Sequence, residues 1–118
     1  MPSFVSDTGV SLAFDDVGQG EPILLVHGFA SNRQTNWIGP GWYDTLTKAG
    51  RRVVAVDLRG HGASDKPHEA VAYDESLMAR DAIALATYLG VDRPDYMGYS
   101  MGGFIGVSAA AQAPDLWG

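Results

Sequence analysis

The run of residues best suited to chemistry is 98–103, which reads Gly-Tyr-Ser-Met-Gly-Gly and contains the pattern G-x-S-x-G. In this pattern the serine lies on a sharp turn between a strand and a helix, in a strained conformation that projects its hydroxyl from the edge of a sheet. Glycines flank the serine because larger side chains would collide with neighbouring backbone. The pattern therefore predicts that Ser100 is a nucleophile. The simpler alternative is a glycine-rich helix start that Ser100 only caps.

Two further glycine-containing runs lie upstream, His27-Gly28-Phe29 and residues 57–64, which read Asp-Leu-Arg-Gly-His-Gly-Ala-Ser. Each of them follows a continuous apolar segment, at residues 23–26 and 53–56, and such segments are typical of strands covered on both faces. A short helix is predicted between these strands, at residues 42–49, closed by a glycine. The order strand, helix, strand predicts a βαβ unit with parallel pairing.

The clearest helix is predicted at residues 74–89, with Asp74 as its N-cap and Gly90 as its stop. A short strand at 95–97 and an alanine-rich helix at 104–113 follow, and weaker strands are predicted at 12–17 and 4–5. These elements predict an α/β fold with a mostly parallel sheet and flanking helices. The 74–89 helix has apolar residues at i, i+4, i+7 and i+11, one face of a 3.6-residue period: Met78, Ala82, Leu85 and Leu89.

Composition limits the functional classes. The chain has 118 residues, enough for one small domain, and it is 46% hydrophobic and 19% charged, as soluble globular proteins are. The formal net charge of −6 argues against binding to nucleic acid or to an anionic membrane surface. There is no cysteine, hence no disulfide framework and no thiolate metal site. With neither a signal peptide nor a membrane-length apolar run in the sequence, we expect a cytoplasmic protein.

Together the segments at 27–29, 57–64 and 98–103 resemble the α/β-hydrolase superfamily, in its esterase, enol-lactonase and C–C hydrolase branch. They occur in that family's order and approximate spacing, and the resemblance extends from about residue 7 to residue 114. It implies that residues 1–118 form a single N-terminal portion of an α/β-hydrolase domain, truncated after the helix that follows Ser100. Three ordered motifs are a strong signal for fold and a weak one for substrate.

The resemblance also implies catalytic roles. Ser100 would attack an acyl carbonyl and form an acyl-enzyme, and the backbone N–H groups of Phe29 and Met101 would stabilise the oxyanion, by ~3–4 kcal/mol per donor. No metal or organic cofactor is expected. A serine at position 100 argues against haloalkane dehalogenase and epoxide hydrolase chemistry, which uses a carboxylate there. Phe29 and Trp37 are candidates for lining an acyl pocket, and equally for being core aromatics.

The general base is missing from the expected place. In this fold the acid and the histidine follow the serine along the chain, yet residues 101–118 contain Asp115 and no histidine. By resemblance, His27 and His61 serve structure, bracing the oxyanion loop and a turn. His68 lies in a polar loop and is expected to be solvated.

The carboxylates upstream do not fill the gap. Asp57 and Asp65 are interpreted as turn residues rather than as the catalytic acid.

The strand before Ser100 would lie at an edge of the sheet, where unpaired backbone groups invite pairing with another chain. Trp117 would then be exposed or buried against a partner. We therefore expect a homo-oligomer, or association with a complementary C-terminal half.

The leading functional hypothesis is a serine-dependent hydrolase of carboxylic esters or lactones, or the nucleophile-bearing half of one, acting on a small acyl substrate. The alternative is a catalytically incomplete binding or assembly module that self-associates through its exposed sheet edge. A mononucleotide-binding domain is a weaker possibility, because the sequence contains neither G-x-G-x-x-G after its first parallel strand nor a Walker lysine.

Overall fold

A computed structural model describes residues 2–6 and 8–118 of the chain. Within them, two short turns of other helix types interrupt the loops, a π-helical turn at Gln34–Ile38 and a 3₁₀ turn at Ala70–Tyr73. The strands and α-helices, in chain order, are β1 (Ser3–Val5), β2 (Ser11–Val17), β3 (Glu21–Val26), α1 (Trp42–Lys48), β4 (Arg51–Val56), α2 (Glu75–Leu89), β5 (Asp95–Gly98) and α3 (Met101–Gln112).

The strands form one five-stranded sheet in the order β1-β2-β4-β3-β5. The central strand β3 pairs in parallel with β4 on one side and with β5 on the other, while β1 and β2 join as antiparallel strands. This confirms the α/β fold with its βαβ unit. The pairing register sets Val26 opposite both Val56 and Gly98, so the three parallel strands end at the same level and their following loops meet.

The apolar strands are covered on both faces, as their continuous hydrophobic runs predicted. On one face, Leu24 and Val26 of β3 pack in the larger core cluster with α2 and α3. On the other face, Ile23 and Leu25 pack with the buried ring of Trp37. Alternate side chains of a strand point to opposite faces, so β3 anchors both layers. His27 thus follows directly on a strand that is packed on both faces.

The predicted ends of the long helix are confirmed. The Asp74 carboxylate accepts a hydrogen bond from the N–H of Ser76 at 2.9 Å, and Gly90 ends α2 with a positive φ of 64°. The last helix begins at Met101, three positions earlier than the predicted residue 104. Glycines are poor helix formers, which hid this start in the sequence. Contacts with β3 and β5, described below, favour glycine there.

Trp117 corrects an expectation. Its ring packs edge-on against Tyr96 with centroids 5.4 Å apart, and its Nε1–H donates to the carbonyl of Ala109 at 3.1 Å. The side chain is partly buried against the core of its own chain. Trp117 is therefore not exposed, and its cover comes from its own chain.

In the described part of the chain, no helix is both long and apolar enough to cross a membrane.

Candidate active site

Ser100 lies on the turn between β5 and α3, exposed to solvent, with φ 53° and ψ −113°. A positive φ is strained for a residue with a side chain, which matches the conformation expected for a serine in the G-x-S-x-G pattern. Its side chain makes no capping hydrogen bond to the described residues of α3. Ser100 therefore occupies the N-cap position without using its hydroxyl as a cap.

The flanking glycines confirm the steric explanation of the pattern. A Cβ on Gly98 would overlap the backbone of Gly102, and a Cβ on Gly102 would overlap the carbonyl of Val26 at the end of β3. The first turn of α3 therefore lies directly on the ends of β3 and β5. This close approach holds the serine turn against the neighbouring His27 loop.

His27 is buried at the end of β3, and both of its ring nitrogens bind backbone. Its Nε2 accepts from the N–H of Leu58 at 3.0 Å, and because an N–H can only donate, the proton of the neutral ring is on Nδ1, which donates to the carbonyl of Gly28 at 2.7 Å. Burial lowers the pKa of His27. The ring thus joins two loops, and the expected structural role agrees with these contacts.

His61 braces the same loop from the other side. Its Nε2 accepts from the N–H of Ala30 at 3.0 Å, and its Nδ1–H donates to the carbonyl of Arg59 at 2.9 Å. Ala30 adopts φ 59°, an uncommon conformation for alanine. His61 therefore holds a strained residue in place. The ring nitrogens of His27 and His61 are thus all bonded to backbone groups, whereas His68 is exposed, as expected.

Phe29 and Met101 line the same cavity. The ring of Phe29 is 75% exposed, and among the hydrogen bonds of residues 2–6 and 8–118 none uses the backbone N–H of Phe29 or of Met101. The two donors proposed from the sequence are thus both unpaired among the described residues. This cavity of about 480 Å³ is lined by Phe29, Ala30, Gly60, His61, Tyr73, Met78 and Met101.

Trp37 does not share that cavity. Its side chain is 3% exposed and packs beneath the sheet, so the interpretation as a core aromatic is the correct one for Trp37. Phe29, by contrast, does line the cavity beside the serine turn. The two aromatics that the sequence left undecided therefore lie in different surroundings.

The carboxylates near the site hold turns together. Asp57 accepts from the N–H groups of Arg33 and Ala63 at 2.8 and 2.9 Å, and it also binds the Arg33 guanidinium at 3.2 Å. Asp65 accepts from the N–H of Ser11 at 2.8 Å. Both are turn residues, as interpreted from the sequence. Asp115 is exposed.

Two residues important to this region were not singled out from the sequence. Asn36, in the π-helical turn, accepts a hydrogen bond from the N–H of Gly28 at 2.8 Å. Asp81, on α2, forms a bidentate ion pair with Arg59, with both contacts at 2.7 Å and both side chains almost fully buried. A usable signal for Asp81 was its carboxylate on the apolar face of the helix, three residues after Met78 and four before Leu85. No local pattern predicts a π turn, so the sequence held no signal for Asn36.

Residues 2–6 and 8–118 contain no group of three or more histidine, cysteine or acidic side chains placed to hold a metal ion.

Comparison with known proteins identifies the family. The family model for the α/β-hydrolase fold matches residues 21–116. The AB hydrolase superfamily protein YisY of Bacillus subtilis (strain 168) is 37% identical over 103 residues, which cover 87% of this chain and 37% of YisY. The chain therefore belongs to the α/β-hydrolase fold family.

Solved structures agree in fold. An epoxide hydrolase variant from Vigna radiata superposes with a TM-score of 0.89 at 28% identity, covering 98% of this chain and 35% of the other. An esterase from Exiguobacterium antarcticum superposes with a TM-score of 0.83 at 29% identity, covering 92% of this chain and 39% of the other. The chain thus spans between 35% and 39% of the length of these three proteins, and it corresponds to the N-terminal part of their fold.

Proposed function

We propose that this chain is the nucleophile-bearing portion of a serine-dependent hydrolase that acts on neutral carboxylic esters or lactones. The observation that carries the proposal is the strained, exposed Ser100 beside the unpaired N–H groups of Phe29 and Met101. A nucleophile next to two preorganised donors is the arrangement that stabilises a tetrahedral oxyanion. The similarity to an esterase from Exiguobacterium antarcticum supports the same chemistry.

In the proposed reaction, the Ser100 oxygen attacks the acyl carbonyl as its proton passes to a base, and the carbonyl oxygen takes the negative charge between the two N–H donors. Collapse of this intermediate expels the alcohol, which receives the proton, and leaves an ester on Ser100. Water then attacks that ester and releases the acid. Both nitrogens of His27 and of His61 bind backbone, so the proposal assigns the base to a group outside the described residues.

Ester chemistry is favoured over epoxide opening, although an epoxide hydrolase is among the structural neighbours. A serine oxygen that opened an epoxide would form an ether, and water does not hydrolyse ethers under mild conditions. Attack on an acyl carbonyl instead yields an ester, which water does hydrolyse. With serine at position 100, acyl transfer is the covalent route that can turn over.

The cavity beside the donors supports an uncharged acyl group. Its polar side-chain atoms are already used, because both nitrogens of His61 bind backbone and the Tyr73 hydroxyl donates to the carbonyl of Pro67 at 2.7 Å. The remaining surface consists largely of aromatic and methionine side chains. A charged acyl substituent would lose its hydration there without gaining a partner.

The test is acylation of Ser100 by p-nitrophenyl butyrate, measured by mass spectrometry of the 118-residue chain. Imidazole is added in a parallel reaction to serve as an external base. We expect a butyryl group on Ser100 that imidazole makes form faster, and slower reaction with the matching ester that carries a terminal carboxylate. The Ser100→Ala chain supplies the background, and Ser108→Ala is the matched serine control. Absence of a Ser100 adduct under both conditions would refute the proposal.

A further inference from the structure

Asn36 lies in the π-helical turn Gln34–Ile38, which is closed by a hydrogen bond of 2.8 Å from the N–H of Gly39 to the carbonyl of Gln34. Single π-helical turns are rare and recur at functional sites. This one directs Trp37 into the core and brings the Oδ1 of Asn36 to 2.8 Å from the N–H of Gly28. The turn therefore presents a side-chain acceptor to the loop that carries Phe29.

Gly28 is the residue through which this loop touches the serine turn. A Cβ on Gly28 would lie 3.1 Å from the Tyr99 ring, 3.2 Å from the Tyr99 carbonyl oxygen and 3.5 Å from the Cβ of Ser100. The Gly28 backbone is buried and directly adjoins the nucleophile's turn. A small displacement of Gly28 thus changes the position of the next N–H, that of Phe29, relative to Ser100.

Three successive peptide groups of the loop are each held at one atom. Asn36 binds the N–H of Gly28, His27 binds the carbonyl of Gly28, and His61 binds the N–H of Ala30. In a trans peptide the N–H points opposite to the preceding carbonyl. Fixing the Gly28 carbonyl against His27 therefore directs the Phe29 N–H to the opposite side.

We propose that Asn36 is a positioning residue for the oxyanion donor at Phe29. By holding the peptide that precedes the donor, it keeps the Phe29 N–H fixed beside Ser100 before substrate arrives. This inference rests on the proposed function, because positioning matters only if an oxyanion forms there. Asn36 itself touches neither Ser100 nor the donor in the described contacts, and it acts through Gly28.

Two substitutions at Asn36 test its hydrogen bond to the N–H of Gly28. Asn36→Ala removes the acceptor, and Asn36→Asp keeps an acceptor oxygen at the same position. The matched control is Asn32→Ala, because the Oδ1 of Asn32 accepts from the N–H of Thr35 at 2.9 Å at the start of the same turn without touching Gly28. Each alanine variant removes one side-chain amide from the same turn. A difference between the two variants therefore reports on the hydrogen bond to Gly28.

The first readout is amide hydrogen exchange followed by NMR on the 118-residue chain. We expect the Gly28 amide to lose protection and the Phe29 amide resonance to shift in Asn36→Ala. In Asn36→Asp the Gly28 protection should return, and in Asn32→Ala both amides should match the parent. Unchanged Gly28 and Phe29 amides in Asn36→Ala would overturn the proposal.

The second readout is the acylation of Ser100 by p-nitrophenyl butyrate with imidazole present. Misplacing a catalytic group lowers the rate of the chemical step rather than substrate binding. We expect Asn36→Ala to lower the maximal acylation rate about tenfold while the half-saturating ester concentration stays the same. Asn32→Ala should leave both quantities near those of the parent. An equal loss in both alanine variants, or no loss in Asn36→Ala, would overturn the proposal.

The two readouts separate this inference from the proposed function. If the parent chain does not acylate Ser100, the hydrolase proposal fails. The amide data then test only whether Asn36 holds the peptide groups of Gly28 and Phe29. If the parent reacts and Asn36→Ala reacts equally fast, the hydrolase proposal stands and the positioning role is refuted.

Discussion

At the scale of single residues, the site depends on two imidazoles whose ring nitrogens are all bonded to backbone. His27 and His61 each accept a backbone N–H at Nε2 and donate from Nδ1 to a carbonyl. The centroids of the two rings lie 5.1 Å apart. A proton added at Nε2 of His27 would face the N–H of Leu58, so protonation of His27 breaks the hydrogen bond that joins it to the loop after β4.

Stability should accordingly decrease on the acid side of pH 6.5. Burial lowers the pKa of His27 below 6.5, so the unfolded chain binds this proton at a higher pH than the folded chain does. The contribution is complete above pH 6.5 and is lost as pH falls toward the folded pKa. We expect the free energy of unfolding, measured by urea denaturation, to fall between pH 7 and pH 5.

The control for this dependence is His27→Gln, which keeps a polar side chain and cannot titrate in that range. Its unfolding free energy should be lower overall, and it should vary less with pH between 7 and 5. The same pH dependence in the parent and the variant would show that another group is responsible.

At the scale of elements, a buried ion pair joins the loop after β4 to helix α2. The side chains of Arg59 and Asp81 are 1% and 2% exposed. Arg59 also donates to the carbonyl of Ala72 at 3.0 Å. Removing one member of such a pair leaves a buried charge without its partner. The pair thus fixes the loop that carries His61 to the longest helix.

Asp81→Ala should therefore lower the free energy of unfolding by about 3–5 kcal/mol. The comparison is Asp16→Ala, which breaks a pair of similar geometry, with Arg52 at 2.7 Å, on the partly exposed surface. Pairs of that kind contribute no more than about 1 kcal/mol. Chemical denaturation of both variants measures the difference, and equal losses would contradict the assignment of Asp81 as a buried anchor.

The start of α3 gives a second contrast between elements. A Cβ on Gly102 would overlap the carbonyl of Val26, whereas a Cβ on Gly103 would meet the Gly98 carbonyl oxygen at 3.8 Å, an ordinary contact. Gly102→Ala should separate α3 from β3 and cost about 1–3 kcal/mol. Gly103→Ala should be neutral or stabilise the helix by up to about 1 kcal/mol. Thermal unfolding of both variants tests this, and equal effects would refute it.

At the scale of the whole molecule, β5, the last strand in chain order among the described residues, lies at one edge of the sheet. Among the described residues, β5 pairs with β3 on one side and with no strand on the other. Unpaired strand groups favour pairing with a further chain. We expect the mass of the 118-residue chain in sedimentation equilibrium to rise with concentration above its 12.5 kDa. A mass of 12.5 kDa throughout would contradict this prediction.

What the sequence determined by itself was local. The apolar runs at 23–26 and 53–56, the cap at Asp74 and the glycines around Ser100 each express a steric or solvation requirement of a few neighbouring residues. Together with the order of the motifs, these requirements predicted the α/β fold and the strained serine turn. The helix after Ser100 was placed three residues late, because its glycines oppose helix formation locally.

Only the tertiary structure decided which side chains meet and which of them are buried. Asn36 reaches Gly28 through a π turn, and Arg59 meets Asp81 across 22 positions. Trp117 is covered by Tyr96, and Trp37 is in the core while Phe29 lines the cavity. Each of these depends on how strands and helices pack, since hydrogen bonds and burial are set by distance in space rather than by spacing along the sequence.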